Sequence, residues 1–155
     1  MRNLIFALLC VAPVLSMAQE IPPAPKELDI FKPMIGKWVG KMTWEMQGQK
    51  TDFTMTMDCA MDGQFLVQKN TMEMMGMKMI ETCYMGWDAE KNKYKTTTFT
   101  NWAPTPRIEW GTIDSKGVSV WTSEPWDGGM GGKTESRATI TPKGAKSCDF
   151  LLEFK

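Results

Sequence analysis

Sulfur is the first chemistry this sequence offers. It holds 15 methionines and 4 cysteines, and Met72, Met74, Met75, Met77 and Met79 crowd into one short run. Thioethers and thiolates are soft ligands that select copper(I). Met72, Met74, Met77 and Met79, with Cys59 and Cys83, therefore form a candidate metal set. The competing reading is packing, because unbranched methionine fills irregular apolar space or moulds itself to a ligand. We read the run chiefly as a lining, with copper(I) binding or handling as the alternative. Sacrificial oxidation of the methionines is a weaker third use.

The polar candidates are Gln68, Asn70, Glu81 and Arg137. An inward-facing Glu81 needs a donor, since an unpaired buried charge is costly. Arg137 is a candidate for that donor, or for bidentate capture of a ligand carboxylate. Its other reading is a solvent-facing place, because Ala138 and Ile140 sit on the opposite parity. A carboxylate enzyme built on Glu81 would need a strongly perturbed acid in an open cavity.

Absences narrow the field further. The chain has no histidine, which removes Ser-His-Asp and Cys-His catalysis and histidine-ligated metals. No C-x-x-C occurs, so a thioredoxin-like site and a zinc ribbon lack support. The glycine-rich stretch 126–132 lacks the phosphate-cradling pattern. With no catalytic motif in view, an enzyme is the weaker expectation, and no cofactor is implied. Lys+Arg and Asp+Glu both number 18, so there is no electrostatic case for nucleic acid or anionic membrane.

The opening residues speak to compartment. Arg2 supplies a positive charge, residues 4–15 are almost uninterruptedly apolar, and Ser16-Met17-Ala18 places small residues at the −3 and −1 positions. That order describes a secretory signal peptide over 1–18, whereas a span needs about 20 apolar residues. Cys10 lies inside the apolar run after Leu8-Leu9, which does not fit a lipoprotein cysteine. Cleavage after Ala18 leaves Gln19 first and predicts a periplasmic or secreted protein. Cys59, Cys83 and Cys148 then remain, an odd number that leaves at least one thiol free or shared between chains. No later stretch is long and apolar enough to span a bilayer. Residues 19–155 suffice for one domain with one core.

The elements that must position these groups are strands. Residues 19–27 form an extended, proline-rich leader. Residues 26–35 carry Leu28, Phe31 and Ile35 at near-helical spacing, and Pro33 keeps that helix short. Beyond Gly36 the sequence alternates: Trp38, Met42, Trp44 and Met46 share one parity, and so do Phe53, Met55, Met57, Cys59 and Met61. Strands are predicted over 36–46, 51–61, 64–74, 77–87, 94–102, 107–114, 117–124, 133–141 and 147–154. Such a set is all-β: an antiparallel up-and-down meander of about 8–9 strands that closes into a barrel able to hold one small ligand, with a two-sheet sandwich as the alternative.

Hairpin arithmetic maps the interior. A two-residue turn at Asp62-Gly63 sets Met61 opposite Gln64, Cys59 opposite Leu66 and Met57 opposite Gln68. A turn at Met75-Gly76 sets Met72 opposite Met79, Asn70 opposite Glu81 and Gln68 opposite Cys83. One face thus collects Met55, Met57, Cys59, Met61, Leu66, Gln68, Asn70, Met72, Met74, Met77, Met79, Glu81, Cys83 and Met85. Phe65, Val67 and Ile80 fall on the other. Cys59 and Cys83 lie a whole strand apart, so a bridge between them is not expected. Among the tryptophans, most read as barrel packing, and Trp126 beside Gly128-Gly129 as a gate on a rim loop.

The run Gly36-Lys37-Trp38-Val39-Gly40 after a short helix resembles the calycin superfamily. Together with Gly63-Gln64-Phe65-Leu66, Met74-Met75-Gly76-Met77, Gly86-Trp87-Asp88, Lys93-Tyr94 and Gly132-Lys133 followed by Arg137, it is similar to the bacterial family domain of unknown function 1579 (DUF1579), over residues 28–155. The resemblance implies a lipocalin-like barrel with no established activity. That family continues with a further strand ending in an aromatic and a basic residue, whereas this sequence stops at Glu153-Phe154-Lys155. Either the sequence is a fragment, or the barrel closes differently and Trp38 lacks the expected basic partner. The expected function is binding of a small apolar ligand inside the barrel by Trp38, Trp44, Met55, Met57, Gln68, Asn70, Met72, Glu81, Met85 and Arg137.

Overall fold

A computed structural model describes residues 22–46, 49–74, 76–129, 131–144 and 147–155. The expected signal segment 1–18, the start of the leader and Met75 lie outside the described residues, and Trp44 and Met74 are described for backbone register alone.

The first element is a 3-10 helix over Lys26–Met34. Its three-residue period selects Leu28, Phe31 and Met34 as the inward stripe. Leu28 and Phe31 are buried and Met34 packs against them, whereas Ile35 is exposed. The α-type spacing that included Ile35 is thereby corrected. Trp38 Nε1 donates to the Met34 carbonyl at 2.8 Å and fixes the exit into the first strand.

Among the described residues eleven strands follow: β1 (Gly36–Met46), β2 (Gln49–Asp62), β3 (Phe65–Met74), β4 (Met77–Asp88), β5 (Lys93–Thr100), β6 (Arg107–Ile113), β7 (Ser119–Ser123), β8 (Trp126–Asp127), β9 (Lys133–Thr134), β10 (Ser136–Gly144) and β11 (Ser147–Phe154). Nine form one antiparallel meander in the order β1-β2-β3-β4-β5-β6-β7-β10-β11, while β8 and β9 make a small separate ribbon. The meander is curled into a half-barrel. Among the described residues β1 and β11 do not pair with each other, so they are its two edges.

The β3–β4 register is as the sequence predicts, with Met74 opposite Met77 and Asn70 opposite Glu81. The β2–β3 register differs. Asp62 pairs with Phe65, so the loop is Gly63-Gln64, and Cys59 faces Gln68 rather than Leu66. Gly63 has φ 57 at the first loop position, where a type II′ turn requires positive φ. The slip amounts to two positions, and side chains alternate with period two, so every residue keeps its side of the sheet.

The core gathers at one end of the concave face, where Leu28 and Phe31 meet Cys59, Leu66, Met85, Tyr94, Trp121 and Ala138. The helix closes that end. The Tyr94 ring contacts Phe31, Trp87 and Trp121, with centroids at 5.2, 4.9 and 6.2 Å. Gly111, directly opposite Trp121, leaves room for the indole, which a Cβ there would strike.

Candidate functional site: the polar belt of the concave face

Strand pairing stacks the inward residues into transverse rungs. Nearest the floor, Trp87, Tyr94, Gly111, Trp121, Ala138 and Leu152 face one another in succession. The next rung runs Met61, Leu66, Met85, Thr96, Glu109 and Ser123. Above it come Cys59, Gln68, Cys83, Thr98 and Arg107. Trp38, Met57, Asn70, Glu81 and Thr100 follow, and then Met55, Met72 and Met79. The face is apolar at the floor and sulfur-rich toward the other end, with a polar belt between.

Three charged side chains meet in that belt. Arg107 Nε lies 3.2 Å from Glu109 Oε2, and an Arg107 terminal nitrogen lies 3.9 Å from Glu81 Oε1. The shorter distance makes an ion pair but not a hydrogen bond, because the Nε–H is not aimed at the oxygen. Asn70 Nδ2 donates to Glu81 Oε2 and the Thr96 hydroxyl to Glu109 Oε2, each at 3.4 Å. The Arg107 guanidinium lies 5.3 Å from the centre of the Trp126 ring, at cation–π range. Among the described residues four buried polar atoms around the belt have no hydrogen-bond partner: Asn70 Oδ1, Arg107 Nε, Trp126 Nε1 and Ser136 Oγ.

The two buried thiols favour the protonated form, which disfavours nucleophilic attack and soft-metal ligation. Burial pushes the Cys83 thiol up to about 11, with the Thr98 hydroxyl offsetting part of the effect. Burial, aided by the Asp58 charge, also raises Cys59. Both are free and buried, with Gln68 between them, and Cys148 is free and exposed. Met72 and Met79 face each other, but Met79 and Cys83 are four residues apart on β4, roughly 13 Å. Met77 is 60 % exposed. The thiols and the methionine run thus do not converge, and no group of three or more acidic or cysteine residues suited to a metal occurs among the described residues.

The structure brings together Trp38, Met55, Met57, Gln68, Asn70, Met72, Glu81 and Met85 on one face. Arg137 lies elsewhere. It pairs with Thr122 and Glu153 on the convex side, 3.7 Å from the Glu153 carboxylate and half exposed. The interior guanidinium is Arg107, a residue the sequence reading did not single out. The Trp87–Tyr94 pairing carries the inward parity through Thr96 and Thr98, but the proline loop 103–106 breaks the count before Arg107. Trp126 is buried in β8 rather than on an exposed rim. Two surface depressions, of about 460 and 570 Å³, lie away from the belt on the convex side, beside Phe65, Tyr84 and Lys95 and beside Thr54, Thr71 and Lys78.

A curled antiparallel meander with a helix-plugged floor and a lined concave face defines a calycin-like half-barrel. The chain belongs to DUF1579, a family described as protein of unknown function, which matches it over residues 24–149. No curated protein and no solved structure matches it.

Proposed function

We propose that this is an exported binding protein that holds a small, largely apolar ligand on its concave face. The observation that carries the reading is a thioether- and indole-lined surface crossed by a belt whose buried polar atoms, Asn70 Oδ1, Trp126 Nε1 and Ser136 Oγ, lack partners. Ligand sites pair apolar walls with a few placed polar groups, and unpartnered buried polar atoms are rare without a reason. Purification, solvent extraction and mass spectrometry test the reading. A stoichiometric, exchangeable organic molecule is expected; a protein that yields none and binds no added amphiphile overturns it.

Export rests on the opening segment of positive charge, apolar run and small residues. Expression in a bacterium with a periplasm should give a chain beginning at Gln19 in the osmotic-shock fraction. An intact Met1 in the cytosol would overturn that part.

Copper(I) handling is the second reading, favoured by the Met72–Met79 pair facing each other across β3 and β4. Titration with copper(I) of a Met72→Leu/Met79→Leu variant decides it, since unchanged affinity removes it.

A further inference from the structure

Strand alternation turns three charged side chains of the meander toward the concave belt, Glu81, Arg107 and Glu109. Two carboxylates against one guanidinium leave a formal charge of −1. Arg107 leans toward Glu109, at 3.2 Å, and reaches Glu81 only at 3.9 Å. Glu81 is therefore the less compensated of the two. Its remaining neighbour, Asn70, gives it Nδ2 at 3.4 Å and leaves Oδ1 buried without a donor. The amide orientation follows from the carboxylate, because the flipped form would set oxygen against oxygen. A carboxylate and an orphan carbonyl oxygen thus stand side by side.

Independent of that pair, Ser136 is 3 % exposed, and its hydroxyl oxygen is unpartnered. It lies on the inward parity of β10, its backbone N–H bonded to Ser123 Oγ at 2.7 Å, at the level of Glu109. Around Glu81 the belt accordingly has acceptors waiting and surplus negative charge, while its two unpartnered donors, Arg107 Nε and Trp126 Nε1, belong to the guanidinium and the indole it lies against.

From this geometry we infer that the ligand carries a cationic, hydrogen-donating head, a primary or secondary amine on an apolar body, with Glu81 as its counter-charge. This rests on the ligand-binding reading above. An ammonium head supplies several donors and no acceptor, so it satisfies Glu81 Oε1 and Asn70 Oδ1 together. A carboxylate head would bring a like charge toward Glu81 and Glu109 and leave Asn70 Oδ1 unpaired. Met57 on the same rung and Met55, Met72 and Met79 on the next receive the apolar body.

Isothermal titration of the full chain with decylamine, decanol and decanoate, all below their micelle concentrations, tests the assignment. The expected order of affinity is amine, then alcohol, then carboxylate, and this ranking needs no variant. Glu81→Gln should weaken decylamine by about tenfold or more and decanol by clearly less, with the variant's circular dichroism spectrum and urea midpoint checking its fold. Decanoate binding as tightly as decylamine, or an amine affinity indifferent to Glu81→Gln in a variant that still binds decanol, overturns the amine assignment and leaves the ligand-binding reading standing. If none of the three binds, both fall.

Discussion

The Tyr94 hydroxyl donates to the Glu27 carbonyl across 2.9 Å, joining residues 67 positions apart. That bond fastens the 3-10 helix to the floor of the curled sheet, while the Tyr94 ring fills the space between Phe31 and Trp87. Tyr94→Phe keeps the ring and removes the bond. It should cost about 1 kcal/mol in urea unfolding, with faster amide exchange in the 26–34 segment than in the strands.

Cys83 makes alkaline stability diagnostic. Its folded-state value lies near 11, above the ordinary 9.0. Below pH 9 both states keep the proton and the thiol contributes nothing to pH dependence. Above it the unfolded chain ionises first, so stability falls as pH rises from 9 toward 11, by about 3 kcal/mol at most. Cys83→Ala should flatten that part of the profile relative to wild type, read as the difference between urea midpoints at matched pH.

The same burial sorts the thiols by reactivity. Cys148 is exposed, whereas Cys59 and Cys83 are buried. A disulfide-exchange reagent at neutral pH should label Cys148 promptly and the other two only at the rate of unfolding. Mass spectrometry of the partly labelled protein reads the sites, and prompt labelling of Cys59 would mean that the floor is open.

Gly111→Ala should be among the most damaging single changes, since its Cβ would run into the Trp121 indole. Neither neighbour can retreat: Trp121 is buried and Gly111 is held in both its ladders. Overpacking of this kind costs about 1–3 kcal/mol or more. Thermal unfolding and the near-ultraviolet signal of the tryptophans should report it together.

Arg107→Leu removes the one guanidinium between Glu81 and Glu109. Because these groups are partly exposed, a loss of roughly 2 kcal/mol is expected rather than the full cost of a buried pair. The loss should shrink in high salt, and Arg107→Lys should restore only part of it. A salt-independent loss would point to packing against Trp126 instead.

Membership of the concave face was readable because it depends on parity alone. Moving the turn from Asp62-Gly63 to Gly63-Gln64 changed who faces Cys59 but not which way Cys59 points. The polar centre was harder to read. Arg107 begins its strand after Ala103-Pro104-Thr105-Pro106, a loop across which alternation cannot be counted, whereas Arg137 sits amid a clean alternation that does not say which parity is inward. The β3–β4 pairing shows that Glu81 and Asn70 are partners; only the curvature that brings β6 round shows that Glu81 shares a guanidinium with Glu109.

The curled sheet also has two selvedges of unlike character. Along β1, Lys37 and Lys41 project into water on either side of the exposed Val39, and charge so placed discourages a foreign ribbon from zipping alongside. Along β11, Phe150, Leu151 and Phe154 stand about half uncovered. Stickiness in concentrated stocks should therefore start at the second margin, and a lysine in place of Leu151 is the change that would quiet it.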